Sequence, residues 1–588
     1  MPSSHSAGSS SWRLGPDLKT ALGTLTGHWE RAGLARRLWA RDATVWTAAS
    51  EARWLGWLDV ATLGGSASEL AAAQEVVAAV APSDVLLLGM GGSSLGAEVV
   101  CQILGAPDRG ATLHVLDTTD PAQVRRLVEP LDLARTVCIV SSKSGTTLET
   151  ALLADYLLGL AERQGGTTAA RRFLGITDPG SALERRARES QFGGVWSGRH
   201  DVGGRFSVLS NFGLVPAAVC GVDVSALVER ATEMATRCGP TAALRNNPGV
   251  QLGLVLGCAA GLGRDKVTLV MSPAVSALGP WLEQLLAEST GKEGHGLLPV
   301  VDEPLASPED YSTDRLFVSL RVVSEPDAGK DVALTTLADA GHPVVELRLP
   351  DRLAIGAEFF RWEMATAVCG AVLGVNPFDQ PDVEASKVAT RALMTGRDTA
   401  AAETGSMRVA RLGAISLHAA PETATELRAR AGVVDDLPAL LSAHVQRLVP
   451  GEYFGLLAYL DMCETNRAPI QRIRYLVQVA RRVATTVGFG PRFLHSTGQL
   501  FKGGPATGVF LLLTCDHADP LTIPGRNYTF DDVNAAQAQG DLAVLVARKR
   551  RVVRLHLGLD VSAALTQVET WVRAACSALP PGPHGGAF

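Results

Sequence analysis

The sequence predicts an α/β protein built on doubly wound parallel sheets. Three observations carry that expectation. Apolar strand-like runs alternate with helical patterns from residue 66 to about 240, and the alternation resumes from 266 to 373. Two early strands run directly into turns crowded with glycine and hydroxyl residues. Strands separated by helices lie parallel, with the helices covering both faces of the sheet.

Taken in order, Met1 to Ser11 are Ser- and Gly-rich without an apolar stretch, which predicts a disordered tail rather than a signal peptide. Residues 17–60 are helical in pattern and carry Trp29, Trp39, Trp46, Trp54 and Trp57, as expected of an arm packed over a neighbouring domain. The first unit, 66–240, reads as helix 67–80, strand 85–88, helix 94–104, strand 111–116, helix 121–128, strand 136–140, helix 146–163 and strand 172–176. The second, 241–400, reads as strand 266–271, helix 277–289, strand 315–322, helix 328–340, strand 343–348 and helix 355–373. A C-terminal α/β extension, 401–588, has apolar runs at 453–460, 509–514 and 552–557, with helical patterns at 466–486, 530–538 and 560–578. Turn-rich or polar stretches at 239–248 and 395–405 mark the expected boundaries.

With 588 residues, 46% hydrophobic and 19% charged, the chain can bury large cores. A net charge of −6 argues against a nucleic-acid partner, and no apolar run is long enough to cross a membrane. Nine scattered cysteines, without Cys-x-x-Cys or Cys/His metal spacing, suit a reducing cytoplasmic compartment and predict no structural metal.

The first turn is Gly89-Met90-Gly91-Gly92-Ser93-Ser94 and the second is Ser141-Ser142-Lys143-Ser144-Gly145-Thr146-Thr147. Glycines admit close approach to a ligand, and amides at a helix start favour an anion. Ser and Thr add donors and Lys143 a charge, so two such loops on neighbouring strands fit one phosphate. The first loop alone nearly spells a dinucleotide fingerprint, with Asp117 posed as a ribose-binding acid. That alternative lacks a third glycine at Ser94 and does not explain the second loop.

Further along, Gln284 and Glu288 share a helix face beside Leu285 and Leu286, a setting for a base. Arg205 stands in the turn Gly203-Gly204-Arg205-Phe206-Ser207. Gln380 and Lys387 lie where a loop enters a helix, in Asn376-Pro377-Phe378-Asp379-Gln380-Pro381-Asp382-Val383-Glu384-Ala385-Ser386-Lys387. Read by themselves, Glu288 and Arg205 are as well explained by surface ion pairs, and Lys387 by a solvated helix face.

Together and in this order, the motifs resemble the glucose-6-phosphate isomerase family over roughly residues 65 to 395. Trp39-Ala40-Arg41-Asp42, Trp54-Leu55-Gly56-Trp57 and Arg492-Phe493-Leu494-His495-Ser496-Thr497-Gly498-Gln499 are similar to the isomerase half of transaldolase/glucose-6-phosphate isomerase fusions. The resemblance implies two sugar-isomerase domains, an aldose–ketose isomerase of glycolysis and gluconeogenesis, a sugar-phosphate substrate, no cofactor, a homodimer and a separate transaldolase partner. It implies Glu288 as base and Arg205 as stabiliser of an enediolate. It also implies phosphate loops of Gly92, Ser93, Ser142, Lys143, Ser144, Thr146 and Thr147, with Gln284, Gln380 and Lys387 around the sugar and Lys387 assisting ring opening.

The chain departs from the family at its ring-opening histidine, whose position holds Leu337. His342, in Gly341-His342-Pro343, and His495 are the candidates; His295 reads as a loop residue. Activity on mannose 6-phosphate as well, admitted by Thr290 and its neighbours, and a non-catalytic sugar-phosphate sensor are the competing readings.

Overall fold

The described part of the computed structural model comprises residues 10–65, 67–105, 111–383, 387–388, 390 and 406–577. Its first strand, β1 (Ser10–Arg13), pairs antiparallel along the edge of a strand far down the chain, Val344–Leu349. Ser10 and Ser11 therefore belong to a sheet edge and not to the expected tail, whose residues 1–9 lie outside the described residues. The boundary expected at 395–405 lies outside them too.

The first sheet holds β2 (Asp84–Leu88), β3 (Thr112–Leu116), β4 (Thr136–Ser141), β5 (Phe173–Thr177) and β6 (Gly194–Ser197) in the order β3-β2-β4-β5-β6, all parallel. Alternation sets its two faces. Val85, Leu87, Val137 and Ile139 pack into one core, while Leu86, Leu88, Cys138 and Val140 pack into another with Leu152 and Leu157. Strand order reverses between β2 and β4, so a crevice opens beyond their carboxyl ends. Both glycine- and hydroxyl-rich turns stand at that crevice.

The second sheet, with β7 (Lys266–Met271), β8 (Leu298–Val300), β9 (Arg315–Val322) and β10 (Val344–Leu349), runs β1-β10-β9-β7-β8. Apart from β1 it is parallel. The third comprises β11 (Met407–Leu412), β12 (Ile415–Ala419), β13 (Tyr453–Tyr459), β14 (Ala484–Phe489), β15 (Gly508–Thr514) and β16 (Arg551–His556), in the order β11-β12-β16-β15-β13-β14. Its strands β14, β13, β15 and β16 are parallel, and an antiparallel hairpin, β11/β12, extends the edge. In all three sheets the first parallel strand of the chain lies between the second and the third. The expectation of doubly wound α/β units thus extends to the C-terminal region.

The expected helix 466–486 is two elements. Helix Glu464–Arg481 stops at Arg482, whose φ of 56° is left-handed, and β14 follows. The β-branched Val483, Thr485, Thr486 and Val487 favour the strand. The arm likewise is helical only through Pro16–Ala32 and Leu34–Trp39; from Ala43 to Leu58 it folds as short 3₁₀ turns.

Those turns let the arm tie the first two units together. Trp39 Nε1 donates to Cys238 O (2.9 Å) and Trp46 Nε1 to Ala367 O (2.7 Å). Trp57, Phe206, Phe378 and Trp46 form a chain of ring contacts with centroids 5.2–5.4 Å apart. Phe206 adjoins Arg205 and Phe378 lies in the 376–380 loop, so the arm sets the spacing of two site segments. Trp57→Ala, which empties a fully buried position, is expected to cost about 3–5 kcal/mol. A lower denaturant midpoint at unchanged m-value would register it. No helix among the described residues is long and apolar enough to cross a membrane.

Candidate active site

Glu288 and Gln284 stand on the last turns of helix Leu278–Thr290, which packs along the helix Leu95–Leu104 that follows the first glycine turn. Apolar neighbours bury this helix, leaving Glu288 only 7% exposed. Gln284 Nε2 donates to Glu288 Oε2 (2.9 Å) and also to His495 O (2.9 Å). Arg205 Nη1 lies 3.3 Å from Glu288 Oε1. The rest of the guanidinium is fully engaged: Nε donates to Ser289 Oγ (2.7 Å), Nη1 to Gln380 Oε1 (3.0 Å), and Nη2 to the carbonyls of Pro377 (2.6 Å) and Asp379 (2.9 Å). Burial pulls the Arg205 pKa below its ordinary value, while Glu288 and Asp379 oppose that pull. A fixed cation thus stands beside a carboxylate.

Close backbone packing explains Gly92. A Cβ there would lie 2.1 Å from the carbonyl of Gly204, against the turn that carries Arg205. At Gly91, with φ of 54°, it would meet Gln284 Nε2 and His495 O. The first turn is therefore a hub joining the Arg205 turn, the Glu288 helix and the His495 loop, and Ser93 sits partly exposed on it.

In the second turn, Ser144 and Thr146 are exposed, and their hydroxyls pair with one another (2.9 Å). Ser142 pairs with Thr147 (3.0 Å). Lys143, expected to supply charge to a ligand, is held instead by Asp178 Oδ2 (2.5 Å) and Arg199 O (2.7 Å). A cavity of about 460 Å³ opens before this turn and the start of helix Leu148–Gly165. The size suits a small phosphorylated molecule. Its walls include Ser144, Thr146, Thr147, Lys387 and His495.

All three units thus contribute to one cavity, and the third contributes His495. Its ring Nε2 lies 3.1 Å from Glu149 Oε1, which also accepts from Gln537 Nε2 (2.6 Å). Thr119 Oγ1 donates to Gln537 Oε1 in turn (2.6 Å). Burial pushes the Glu149 carboxyl up, but the His495 ring and Lys387 outweigh burial and hold it below its ordinary value. The loop before His495 is anchored by Arg492, which pairs with Asp117 (2.6 Å) and Glu98 (2.5 Å). Asp117, the acid of the dinucleotide alternative, is thereby occupied.

The other histidines lie elsewhere. His342 is buried against Tyr311 and Phe317, with Nε2 3.4 Å from Pro308 O. His295 is exposed in its loop. Thr290 is buried and donates to Leu286 O (2.7 Å), so its hydroxyl serves the helix end.

Several residues were missed in the sequence. Glu149 follows directly on the hydroxyl-rich turn, and a carboxylate in the first turn of a buried helix is a readable signal. Gln537 carries none. Lys292 closes the motif Glu288-Ser289-Thr290-Gly291-Lys292; its Nζ donates to Asn376 O (2.6 Å), Asp379 O (2.6 Å) and Asp379 Oδ1 (2.7 Å). Gln499 clamps the same segment from the third unit, accepting from the amide of Asp382 (2.9 Å) and donating to its carboxylate (2.8 Å).

Residues 73–296 match the family model of phosphoglucose isomerase. The chain is 31% identical over 367 residues to the glucose-6-phosphate isomerase of Rubrobacter xylanophilus, covering 53% of this chain and 82% of that one. It is 27% identical over 343 residues to that of Methanocaldococcus jannaschii, covering 52% and 82%. Among solved structures, a hypothetical protein from Thermus thermophilus superposes with a TM-score of 0.56 at 26% identity, over 66% of this chain and 100% of that one. A glucose-6-phosphate isomerase from Chlamydia trachomatis shares the fold with a TM-score of 0.53 at 18% identity, over 66% and 89%.

Proposed function

This chain belongs to the glucose-6-phosphate isomerase family, and from that premise we propose that it interconverts glucose 6-phosphate and fructose 6-phosphate through an enediol(ate), with Glu288 as the base. The observation that carries the reading is the buried Glu288–Arg205 pair joined through Gln284 to His495 at the rim of a hydroxyl-lined cavity.

The phosphate is held at the start of helix Leu148–Gly165, where free amides meet the hydroxyls of Ser144, Thr146 and Thr147. Lys143 contributes by fixing the turn through Asp178 rather than by touching the phosphate. His495, oriented by Glu149, exchanges a proton with the ring oxygen, and Lys387 assists at the hydroxyl of the anomeric carbon. Glu288 then takes the proton from C2 and returns it to C1. The C–H acid is weak, so the negative oxygen of the intermediate needs a fixed positive partner, which Arg205 supplies. Gln284 and Gln380 hold Glu288 and Arg205 in register.

Conversion of fructose 6-phosphate, read through a coupled glucose-6-phosphate dehydrogenase, tests the reading; folded protein without turnover would refute it in favour of a sugar-phosphate sensor. Mannose 6-phosphate in the same assay is expected to turn over far more slowly.

Arg492→Met is expected to lower kcat by about tenfold with little change in KM, because His495 loses its anchor and small misplacements are costly in a preorganised site. An unchanged kcat would dismiss the anchoring role. A pH dependence follows from Lys292. Burial first, then the Arg205 charge, lower its pKa from 10.5 to about 8, against the pull of Asp379. The unfolded chain keeps this proton to about 10.5 and the folded protein only to about 8, so stability gains with pH inside that window. The charge holding the 376–379 loop disappears over the same range. kcat/KM is therefore expected to fall above about pH 8, and Lys292→Met to show a lower, flatter alkaline limb. A wild-type profile flat to pH 10 would contradict it.

A further inference from the structure

Three side chains that the isomerase chemistry leaves unused meet where the first and third units touch. Directly after β15, Cys515 and His517 approach Asp120 at the start of helix Pro121–Val128. Asp120 Oδ1 caps that helix through the amide of Gln123 (2.9 Å). Its other oxygen, Oδ2, lies 3.1 Å from His517 Nε2, and Cys515 Sγ lies 3.7 Å from the same nitrogen. All three donor atoms fall within 4.8 Å of one another.

Two of the three donor spacings match those of a tetrahedral metal site; the third, between Cys515 Sγ and the Asp120 carboxylate, is within 4.8 Å. Metal–sulfur bonds of about 2.3 Å and metal–nitrogen or –oxygen bonds of about 2.0–2.1 Å set tetrahedral edges of about 3.6 Å for S···N and about 3.3 Å for N···O. The observed edges agree with both to about 0.2 Å. A second, independent observation concerns the far side of the imidazole. His517 Nδ1 lies 3.4 Å from Asp531 Oδ1, and Asp531 is itself fixed by accepting from the amide of Leu521 (3.0 Å). A carboxylate behind an imidazole fixes its tautomer and strengthens it as a ligand. A third is topological: β15 is the third parallel strand of its sheet, flanking the strand-order reversal, as β4 does in the first. Crevices at such reversals are where parallel sheets bind ligands.

We propose that Cys515, His517 and Asp120 bind one divalent first-row transition-metal ion of zinc type, at a site separate from the isomerase cavity. Thiolate and carboxylate balance the 2+ charge; the thiol proton passes to the buffer on binding, and His517 binds as the neutral imidazole through Nε2, keeping its Nδ1 proton toward Asp531. Water completes the tetrahedron. The expected absence of a structural metal rested on spacing along the chain; here one ligand comes from the first unit and two from the third, so no contiguous motif exists to be read. The ion would pin the two units beside Thr119, whose contact with Gln537 leads on to Glu149 and His495.

The test is titration of the full-length, chelator-stripped protein with Co²⁺, followed by Zn²⁺ retained after dialysis and counted by mass spectrometry. One equivalent per chain is expected, with a thiolate-to-cobalt band in the near ultraviolet that Zn²⁺ abolishes. Cys515→Ser is expected to lose the band, and Asp531→Asn to weaken affinity by roughly 10-fold or more. Retention of less than one equivalent without the band, or Zn²⁺ uptake equal to wild type in both Cys515→Ser and His517→Ala, overturns the proposal. Should His517→Ala misfold, the band in Cys515→Ser decides alone, its fold being checked by circular dichroism.

Discussion

Replacing Glu288 with glutamine is expected to lower kcat for fructose 6-phosphate by at least about 10³-fold, while KM stays within about threefold. The substitution keeps the shape of the side chain and removes its ability to take a proton, together with the negative charge that faces Arg205. Gln284 Nε2 still finds a carbonyl oxygen to donate to. Arg205 keeps Ser289, Gln380 and the carbonyls of Pro377 and Asp379, so the cation stays in place. On the proposed reading substrate is held chiefly by the hydroxyl-rich turn that lines the cavity, which the change does not touch. The loss therefore falls on the transition state alone, about 4 kcal/mol for a thousandfold drop. Steady-state kinetics in both directions measure it. A variant with near-normal kcat would remove Glu288 from the role of base.

Replacing His495 with alanine separates ring opening from proton transfer. We expect kcat/KM for fructose 6-phosphate to fall by roughly 10²-fold. For 5-deoxyfructose 6-phosphate, which lacks the hydroxyl that closes the furanose ring, the same variant is expected to stay within about threefold of wild type. The reasoning is geometric. The ring of His495 is tied to Glu149 at the cavity wall, while Glu288 is reached by the backbone of the same residue, through Gln284. Removing the imidazole therefore leaves the His495 carbonyl, and with it the base, undisturbed. Glu149→Gln is expected to act in the same direction and less strongly, since it weakens the orientation of the histidine without deleting it. Equal losses on both substrates would exclude His495 from ring opening.

Much of the first two units is legible locally. Strands 266–271 and 315–322 and helices 67–80 and 355–373 have the bounds that their patterns predict, because long apolar periods leave little choice. Short, edge or polar elements were not legible: β1, β6 and β8 owe their strand form to partners outside their own segment, and the β11/β12 hairpin to its seat on β16. β14 was hidden in a helical pattern that continues through Arg482. Among the site residues, Glu288 and Arg205 were found as motif members. Their pairing, and the diversion of Lys143 to Asp178, depend on contacts that no local pattern encodes.

By itself the sequence determined the α/β class, the two glycine- and hydroxyl-rich turns after β2 and β4, and the residue types available for proton transfer. Each of these rests on neighbours within a few residues, where periodicity and turn chemistry act. Tertiary structure alone decided which histidine faces the cavity, since His342 and His495 are both candidates along the chain. It placed His342 in an aromatic core and carried His495 across from the third unit to Glu149, anchored by Arg492 on Glu98 and Asp117. It likewise assembled Asp120, Cys515 and His517. The physical reason is the same in both cases: contacts between units depend on how whole sheets dock, and docking is set by buried surfaces spread over hundreds of residues rather than by spacing within a motif.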